Sequence, residues 1–214
     1  MTELQLDHIV VAAPDLELAK AEFARTTGVA PVDGGPHPGR GTCNALVSFG
    51  ASSYLEIIAP DPQQTLAGTN GAKFAELREP ELLHWAVRTT DLEAVSLKAK
   101  QAGLTPGAIN PMSRNTPQGE VLNWRLMGLG GHTHGGLLPF YIDWLDCPHP
   151  ALSAPVVGDL DEVLLSLPST ELLGLIETVA GVRAQSGPAK LAVGYNTSQG
   201  HQSYQSESPA GFGF

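Results

Sequence analysis

Short runs of apolar, largely β-branched residues recur along the chain, and each is followed by a segment whose apolar positions have helical spacing. The first run, LDHIVV at 6–11, resembles LLHWAV at 82–87, and the sequence DLE follows both, at 15–17 and 91–93. A third, degraded copy, LDEVLLSLPSTELL, occupies 160–173. Self-similarity of this kind is the signature of repeated supersecondary units. The pattern therefore predicts two related units and a reduced third one.

Each unit is predicted to begin with a strand, continue with one helix and close with three further strands. Asp15 and Asp91 are placed to start the first two helices, and Gly28 and Gly103 to end them. The third helix is predicted to begin at residues 168–170. The predicted strands are 4–12, 29–33, 42–49 and 52–59 in the first unit, 82–89, 104–109, 121–127 and 137–145 in the second, and 160–167, VRAQ, KLAVGY and HQSYQS in the third.

This order of elements predicts an α+β fold. Tandem βαβββ units are expected to form a cupped mixed sheet around a cleft, with a third, reduced βαβββ-like unit at the C-terminus. The expected boundaries are 1–59 for the first unit, 60–81 for a linker, 82–150 for the second unit, 151–206 for the third and 207–214 for a tail.

The composition and net charge of the chain indicate which kinds of partner and which cellular location to expect. The chain has 214 residues, of which 42% are hydrophobic and 16% charged, and its net charge is −10. An acidic chain with scattered lysines and arginines favours neither nucleic acid nor a membrane as partner. The N-terminus lacks a basic signal-peptide segment, and Cys43 and Cys147 do not suggest a disulfide framework. We therefore expect a cytoplasmic protein with a small-molecule substrate, and a homodimer in which the third unit forms an interface is possible.

The strands carry ionisable residues on faces that are otherwise apolar. Side chains alternate between the two faces of a strand, so Leu6, His8 and Val10 are expected to share one face of the first strand. By the same rule Glu56 shares an apolar face of the fourth strand. A buried carboxylate without a partner is costly, and these groups therefore require one another or another polar partner.

One arrangement that satisfies all of them is a metal site. The four residues at matching places in the first two units are His8, Glu56, His84 and Asp143. Two imidazoles and two carboxylates suit Zn²⁺, Ni²⁺, Fe²⁺, Mn²⁺ or Co²⁺ better than Ca²⁺ or Mg²⁺. The alternatives are histidines bonded to backbone, a Glu56 paired with Arg125, and an Asp143 that caps a loop.

A glycine-rich segment, GGPHPGRGTCN at 34–44, supplies the remaining candidates. Its glycines permit a tight loop close to a ligand, and His37 is suited to acid–base catalysis near neutral pH. Thr42 and Asn44, two residues apart at the start of a strand, are expected to bind substrate from one side. Glu56 is a second candidate for proton transfer. Arg125, in an apolar strand, is expected to bind a substrate carboxylate or to pair with Glu56.

The segments LDHIVVAAPDL, GGPHPGRGTCNALVSFG, YLEIIAPDP and LPFYIDW resemble the glyoxalase-like domain proteins of the vicinal oxygen chelate superfamily, which includes glyoxalases, bleomycin-resistance proteins and extradiol dioxygenases. The resemblance covers residues 1–150 well and the remainder loosely. It implies a βαβββ fold, a cleft and, often, a divalent metal. Metalloglyoxalases usually have glutamate as fourth ligand, whereas Asp143 is one methylene shorter, so a site of His8, Glu56 and His84 is the alternative.

The resemblance implies a metal-dependent lyase, isomerase or dioxygenase that acts on a small oxygenated metabolite. Some superfamily members have lost the metal and only bind ligands. The alternative function is therefore a metal-free protein of the same fold that binds or sequesters a small molecule.

Overall fold

Two βαβββ units follow each other along the chain and share one large sheet. The computed structural model describes residues 3–115, 119, 121–168, 170, 173–176 and 179–211. The first unit consists of β1 (Leu4–Ala12), α1 (Leu16–Thr27), β2 (Val32–His37), β3 (Thr42–Ser48) and β4 (Tyr54–Pro60), followed by the short α2 (Asn70–Phe74). The second consists of β5 (Glu81–Arg88), α3 (Leu92–Gln101), β6 (Thr105–Pro106), β7 (Asn110–Asn115), β8 (Val121–Met127), β9 (Leu129–Gly130) and β10 (Phe140–Asp143).

The order of strands in the sheet confirms that the two units are related. The sheet runs β2-β3-β4-β1-β5-β10-β8-β7, so the second half repeats the first in reverse around the antiparallel pair β1–β5. In each half the first strand pairs in parallel with the last, β1 with β4 and β5 with β10. The end strands β2 and β7 contact each other, which nearly closes the curved sheet around a central cleft. The predicted α+β architecture is therefore confirmed.

Capping residues define the two long helices as expected. The Asp15 carboxylate accepts a hydrogen bond from the Leu18 N–H at 2.9 Å, and Asp91 accepts one from the Ala94 N–H at 2.8 Å. Gly28 ends α1 with φ at +78°, a left-handed conformation that favours glycine. In the described ranges, no helix is long and apolar enough to cross a bilayer.

A β-bulge in β1 alters the predicted alternation of side chains. Leu6 pairs with Val87 and His8 with Ala86, so Asp7 is an extra residue on β1. Leu6 packs in the outer core between the sheet and the helices, whereas Val10 lies in the inner core on the concave face. The expectation that Leu6 and His8 share a face is therefore wrong, because a bulge shifts the alternation by one residue.

The C-terminal segment forms a second, four-stranded sheet. Its four strands are β11 (Asp159–Leu167), β13 (Arg183–Ser186), β14 (Lys190–Thr197) and β15 (Gly200–Ser206), in the order β13-β11-β14-β15. The short β12 (Val179–Ala180), which lies between β11 and β13 in the chain, pairs with β1 of the large sheet. The apolar face of the four-stranded sheet joins the outer core, where Tyr195 stacks with Phe23 and packs against Phe49. The third unit thus covers the outer side of the first.

Two predictions for the C-terminal part differ from what the structure describes. After β11 the described residues contain a 3-10 turn at Leu173–Leu175, and residues 169, 171 and 172 of the expected helix lie outside the described residues. The segment 207–214, predicted to be a tail outside the three units, returns to the second unit: Gly136 N–H donates to the Pro209 carbonyl and Gly211 N–H to the Leu83 carbonyl. Residues 212–214 lie outside the described part of the chain.

Candidate functional site

The concave face of the large sheet encloses a cleft of about 90 Å³. Polar side chains from the first unit form one wall, and mostly apolar side chains of the second unit form the other. The polar wall includes His8, His37, Thr42, Asn44 and Glu56, and the opposite wall includes Trp124, Leu126, Phe140, Ile142 and Trp144. A concave apolar pocket with a few convergent polar groups is the usual form of a small-molecule site.

Asp7 holds the His8 imidazole in a fixed orientation. The bulge brings the buried Asp7 carboxylate within 2.6 Å of His8 Nδ1, and Trp144 Nε1 and His149 Nε2 each donate to its other oxygen at 3.0 Å. Burial alone would raise the pKa of Asp7, but the hydrogen bonds from His149 and His8 hold it well below its usual range. Since an ionised carboxylate only accepts, Nδ1 of His8 carries a proton. Nε2 is therefore the imidazole nitrogen that faces the cleft.

Glu56 lies opposite His8 Nε2. Its Oε2 is 3.5 Å from Nε2, and its Oε1 accepts a hydrogen bond from Asn44 Nδ2 at 2.6 Å. His37 Nε2 is 3.8 Å from Oε1 on the other side. The structure thus brings together three of the residues that the sequence singled out for chemistry, and Asn44 fixes the carboxylate between two imidazoles.

His37 and Thr42 lie together at the base of the glycine-rich segment. His37 Nδ1 is 3.0 Å from Thr42 Oγ1, which is buried. Burial lowers the pKa of His37, and the positive charges of Arg114 and Arg40 add to that effect, whereas the negative charge of Glu56 opposes it. The imidazole of His37 is therefore held in its neutral form at neutral pH, able to accept a proton.

His84 is separated from this cluster by an aromatic ring. The Phe140 ring packs edge-on against both histidines, with centroids 5.3 Å from His8 and 5.0 Å from His84. His84 Nε2 donates to the Leu138 carbonyl at 2.8 Å, and the residue lines a different cavity, beside Lys73 and His132. Burial lowers its pKa to about 4. His84 therefore fits the alternative expectation for a buried histidine, a bond to the backbone.

The strand register explains why Asp143 lies outside the cleft. Glu56 pairs with Val10 on β1, and the residue that pairs with the equivalent Ala86 on β5 is Phe140. Phe140 thus takes the place of Glu56 in the second unit, and Asp143 lies three residues farther along. The sequence comparison that aligned Asp143 with Glu56 is therefore wrong by three residues, although the segments around them are similar.

Asp143 and Arg125 bind each other outside the cleft. Arg125 Nη2 donates to Asp143 Oδ2 at 2.7 Å, and Nη1 donates to Glu93 at 2.8 Å. The other oxygen of Asp143 accepts the Leu145 N–H at 2.9 Å. Neither residue lines the cleft, whereas Ile142 and Trp144 on either side of Asp143 do. The structure therefore places Arg125 neither against Glu56 nor where it would contact a substrate.

These positions do not fit a four-ligand metal site. Of the four predicted ligands, only His8 and Glu56 face the cleft, since His84 and Asp143 are bonded elsewhere. Over the residues that the structure describes, no group of three or more His, Cys, Asp or Glu is arranged to hold a metal ion.

Several residues of the cleft were not among the sequence predictions. Arg114 lines it from β7 and Arg40 from the glycine-rich loop, and Tyr54 stacks on His8 with centroids 4.5 Å apart. Arg114 lies in NPMSRN, a polar segment that contains a proline and so lacks the pattern of a strand. Proline is tolerated in β7 because β7 ends the sheet. The Asp7–His8 dipeptide was the available signal for the orienting carboxylate.

Comparison with known proteins identifies the fold. A family model described as a glyoxalase-like domain matches residues 6–174. A hypothetical protein from Staphylococcus aureus has a similar structure, with a TM-score of 0.66, 16% identity and 87% of each chain covered. Methylmalonyl-CoA epimerase from Mycobacterium tuberculosis gives a TM-score of 0.50 and 24% identity, with 70% of this chain and 91% of that one covered. No curated protein matches the chain.

Proposed function

The chain belongs to the glyoxalase-like domain family, and we propose that it is an isomerase or lyase that moves a proton on a small oxygenated metabolite. The observation that carries the proposal is the approach of His8 Nε2 to Glu56 Oε2 at 3.5 Å on the polar wall of the cleft. General acid–base catalysis requires two such groups within reach of one substrate.

His8 and Glu56 are suited to share one mobile proton. With its Nδ1 proton bound to Asp7, a neutral His8 presents a lone pair to Glu56. A lone pair and an ionised carboxylate repel each other, so their approach is favourable when one proton lies on either group. The pair can therefore give up or take up a proton without disturbing the Asp7 hydrogen bonds.

The proposed reaction uses this proton at carbon. Glu56 removes a proton from a carbon next to a carbonyl group, and the electron pair of the broken C–H bond moves onto the carbonyl oxygen. His8 protonates that oxygen through Nε2, which gives an enol. The enol O–H then returns its proton to His8 Nε2 and the carbonyl re-forms. If the enol carbon takes up a proton on its other face, the reaction is an isomerisation. If instead its electron pair forms a double bond to the next carbon, a leaving group departs from that carbon with the electrons of its bond and takes up the proton held by Glu56, and the reaction is an elimination.

The experiment is hydrogen–deuterium exchange at carbon, followed by proton NMR. Small 2-oxo and 2-hydroxy carboxylates are incubated with the protein in D₂O, and loss of the proton signal next to the carbonyl or carboxyl carbon is timed. His8→Gln and Glu56→Gln are expected to slow exchange by roughly 10²–10⁴-fold. His201→Gln, on the exposed β15, is the matched control and should exchange at the wild-type rate.

Exchange that persists at the wild-type rate in both His8→Gln and Glu56→Gln would contradict the proposal. A wild-type protein that binds these carboxylates but exchanges no proton would instead support the alternative, a protein that only binds or sequesters its ligand. Addition of Zn²⁺, Ni²⁺, Mn²⁺ or Fe²⁺ to a chelator-treated sample tests the predicted divalent-metal dependence in the same assay.

A further inference from the structure

Arg114 is a buried cation that no described residue neutralises by direct contact. The residue is 8% exposed and lines the cleft, and no acceptor in the described part of the chain reaches its buried Nη1. Buried guanidinium groups are normally paired, because removing the charge from water is costly. The other arginine that the sequence placed near the site, Arg125, has two carboxylate partners. Arg40 also lines the cleft but is only half-buried, so among the described residues Arg114 is the more deeply buried guanidinium there that is available to an anion.

Asn44 places an unused acceptor beside this cation. Its Nδ2 donates to Glu56 Oε1, which fixes the orientation of the amide, and its Oδ1 is buried without a donor among the described residues. Asn44 Oδ1 and Arg114 Nη1 both lie close to the Cα atom of Gly34. A Cβ added to Gly34 would be 2.2 Å from Asn44 Oδ1 and 2.7 Å from Arg114 Nη1. A side chain at position 34 would therefore collide with both atoms, and glycine lets a donor and an acceptor that both need partners lie against the backbone of β2.

The rest of the cleft is apolar and aromatic. Trp124 and Trp144 lie with ring centroids 5.6 Å apart, and Leu126, Phe140 and Ile142 continue the same wall. A ligand that meets Arg114 with an anionic group and Asn44 with a hydrogen-bond donor is therefore expected to carry an apolar substituent.

We propose that the cleft selects a small hydroxy acid with an apolar substituent, whose carboxylate binds Arg114 and whose hydroxyl donates to Asn44 Oδ1. This substrate class rests on the proposed proton-transfer function. Asn44 also holds Glu56, so a hydroxyl bound to it brings the neighbouring carbon close to the carboxylate that takes the proton. Arg114 is a specificity-determining residue in this arrangement.

Binding of three matched probes tests the proposal without requiring turnover. The probes are 2-hydroxy-4-methylpentanoate, 4-methylpentanoate, which lacks the hydroxyl, and 4-methylpentane-1,2-diol, which lacks the carboxylate. Titration calorimetry of the wild-type protein is expected to show binding of the hydroxy acid roughly 10-fold or more tighter than either of the others. Arg114→Gln is expected to weaken hydroxy-acid binding roughly 10- to 100-fold, with Arg114→Lys in between.

Arg183→Gln is the matched control. Arg183 is exposed on the C-terminal sheet, paired with Glu162, and its loss should leave binding unchanged.

His8→Gln separates this proposal from the proposed function, since it should bind the hydroxy acid normally while it loses proton exchange. Equal binding of the acid and the hydroxy acid would overturn the role of Asn44. Wild-type affinity in Arg114→Gln, or no binding of the hydroxy acid to the wild-type protein, would overturn the role of Arg114.

Discussion

Asp7 is the residue whose loss should affect both the stability and the site. Its carboxylate is buried and accepts from His8, Trp144 and His149. Asp7→Asn replaces one acceptor oxygen by a donor and breaks part of this network, so we expect a loss of about 3–5 kcal/mol in the free energy of unfolding at pH 7. Chemical denaturation measures it, with the exposed Asp161→Asn as control.

The same substitution should change the pH dependence. The pKa of Asp7 is lower in the folded protein than the ordinary value of 3.8, so the folded state binds fewer protons than the unfolded chain. Its contribution to stability is complete above that value and is lost as the pH falls below it. The difference between wild-type and Asp7→Asn proteins should therefore shrink on acidification from pH 4 to pH 2. A constant difference would show that Asp7 is not ionised in the folded state.

His84 should titrate far below an ordinary histidine. Burial lowers its pKa from 6.5 to about 4, and the bond to the Leu138 carbonyl only partly opposes this. The unfolded chain therefore binds a proton that the folded protein lacks between these values, and stability falls as the pH drops from 6.5 to 4. NMR titration of the imidazole carbons should show the low pKa. In His84→Gln the slope of unfolding free energy against pH should become shallower between pH 4 and pH 6.5. A slope equal to that of the wild-type protein would contradict the low pKa of His84.

Sequence reasoning found part of the site and missed part of it for identifiable reasons. Glu56 and Asn44 stand in strands with clear alternation, so the sequence shows on which face of the sheet they lie. For His8 the bulge at Asp7 alters the alternation, and its place in the cleft was expected from its apolar neighbours on the other side, such as Val10.

Arg114 was missed because an edge strand with a proline has the composition of a loop. The ion pair between Asp143 and Arg125 could not be predicted either. Alternation shows on which face of the sheet a residue lies, but it does not show which residue of the neighbouring strand lies beside it.

At the scale of elements, the N-caps of α1 and α3 offer a matched pair of tests. Asp15→Ala and Asp91→Ala each remove a carboxylate that accepts from the first turn. Each is expected to cost about 0.5–2 kcal/mol of unfolding free energy, whereas Asn at either position should keep most of it. Thermal and urea denaturation measure the losses. If either alanine variant lost almost no unfolding free energy, the side-chain cap at that position would not stabilise its helix.

The strands were easier to predict as elements than in register. Most predicted strands lie within a few residues of the observed ones, because runs of β-branched residues are a strong local signal. The bulge at Asp7 and the three-residue offset between Glu56 and Asp143 depend on long-range pairing, which a local pattern does not encode. The bulge changes the face of Leu6 and leaves His8 in the cleft, whereas the register offset removes Asp143 from the predicted four-ligand set.

At the scale of the molecule, the C-terminal sheet should unfold together with the rest. Tyr195 packs against Phe23 and Phe49 in the outer core, so Tyr195→Ala is expected to cost about 3–5 kcal/mol. All three tryptophans lie in the large sheet or just beyond it, at positions 85, 124 and 144. Their fluorescence and the far-UV circular dichroism should shift together in this variant. A fluorescence midpoint equal to that of the wild-type protein would show that the C-terminal sheet unfolds separately.

The hydrogen bonds of Asp7 also make the two halves of the chain depend on each other for the proposed proton transfer. Asp7 and His8 belong to the first unit, whereas Trp144 and His149, which hold Asp7, come from the end of the second. A fragment that contains only the first unit would include His8 and Asp7 but not Trp144 and His149, which hold Asp7 in place. Proton exchange can therefore serve as a reporter of assembly: two fragments divided in the 60–81 linker should be silent alone and regain the reaction when they are combined.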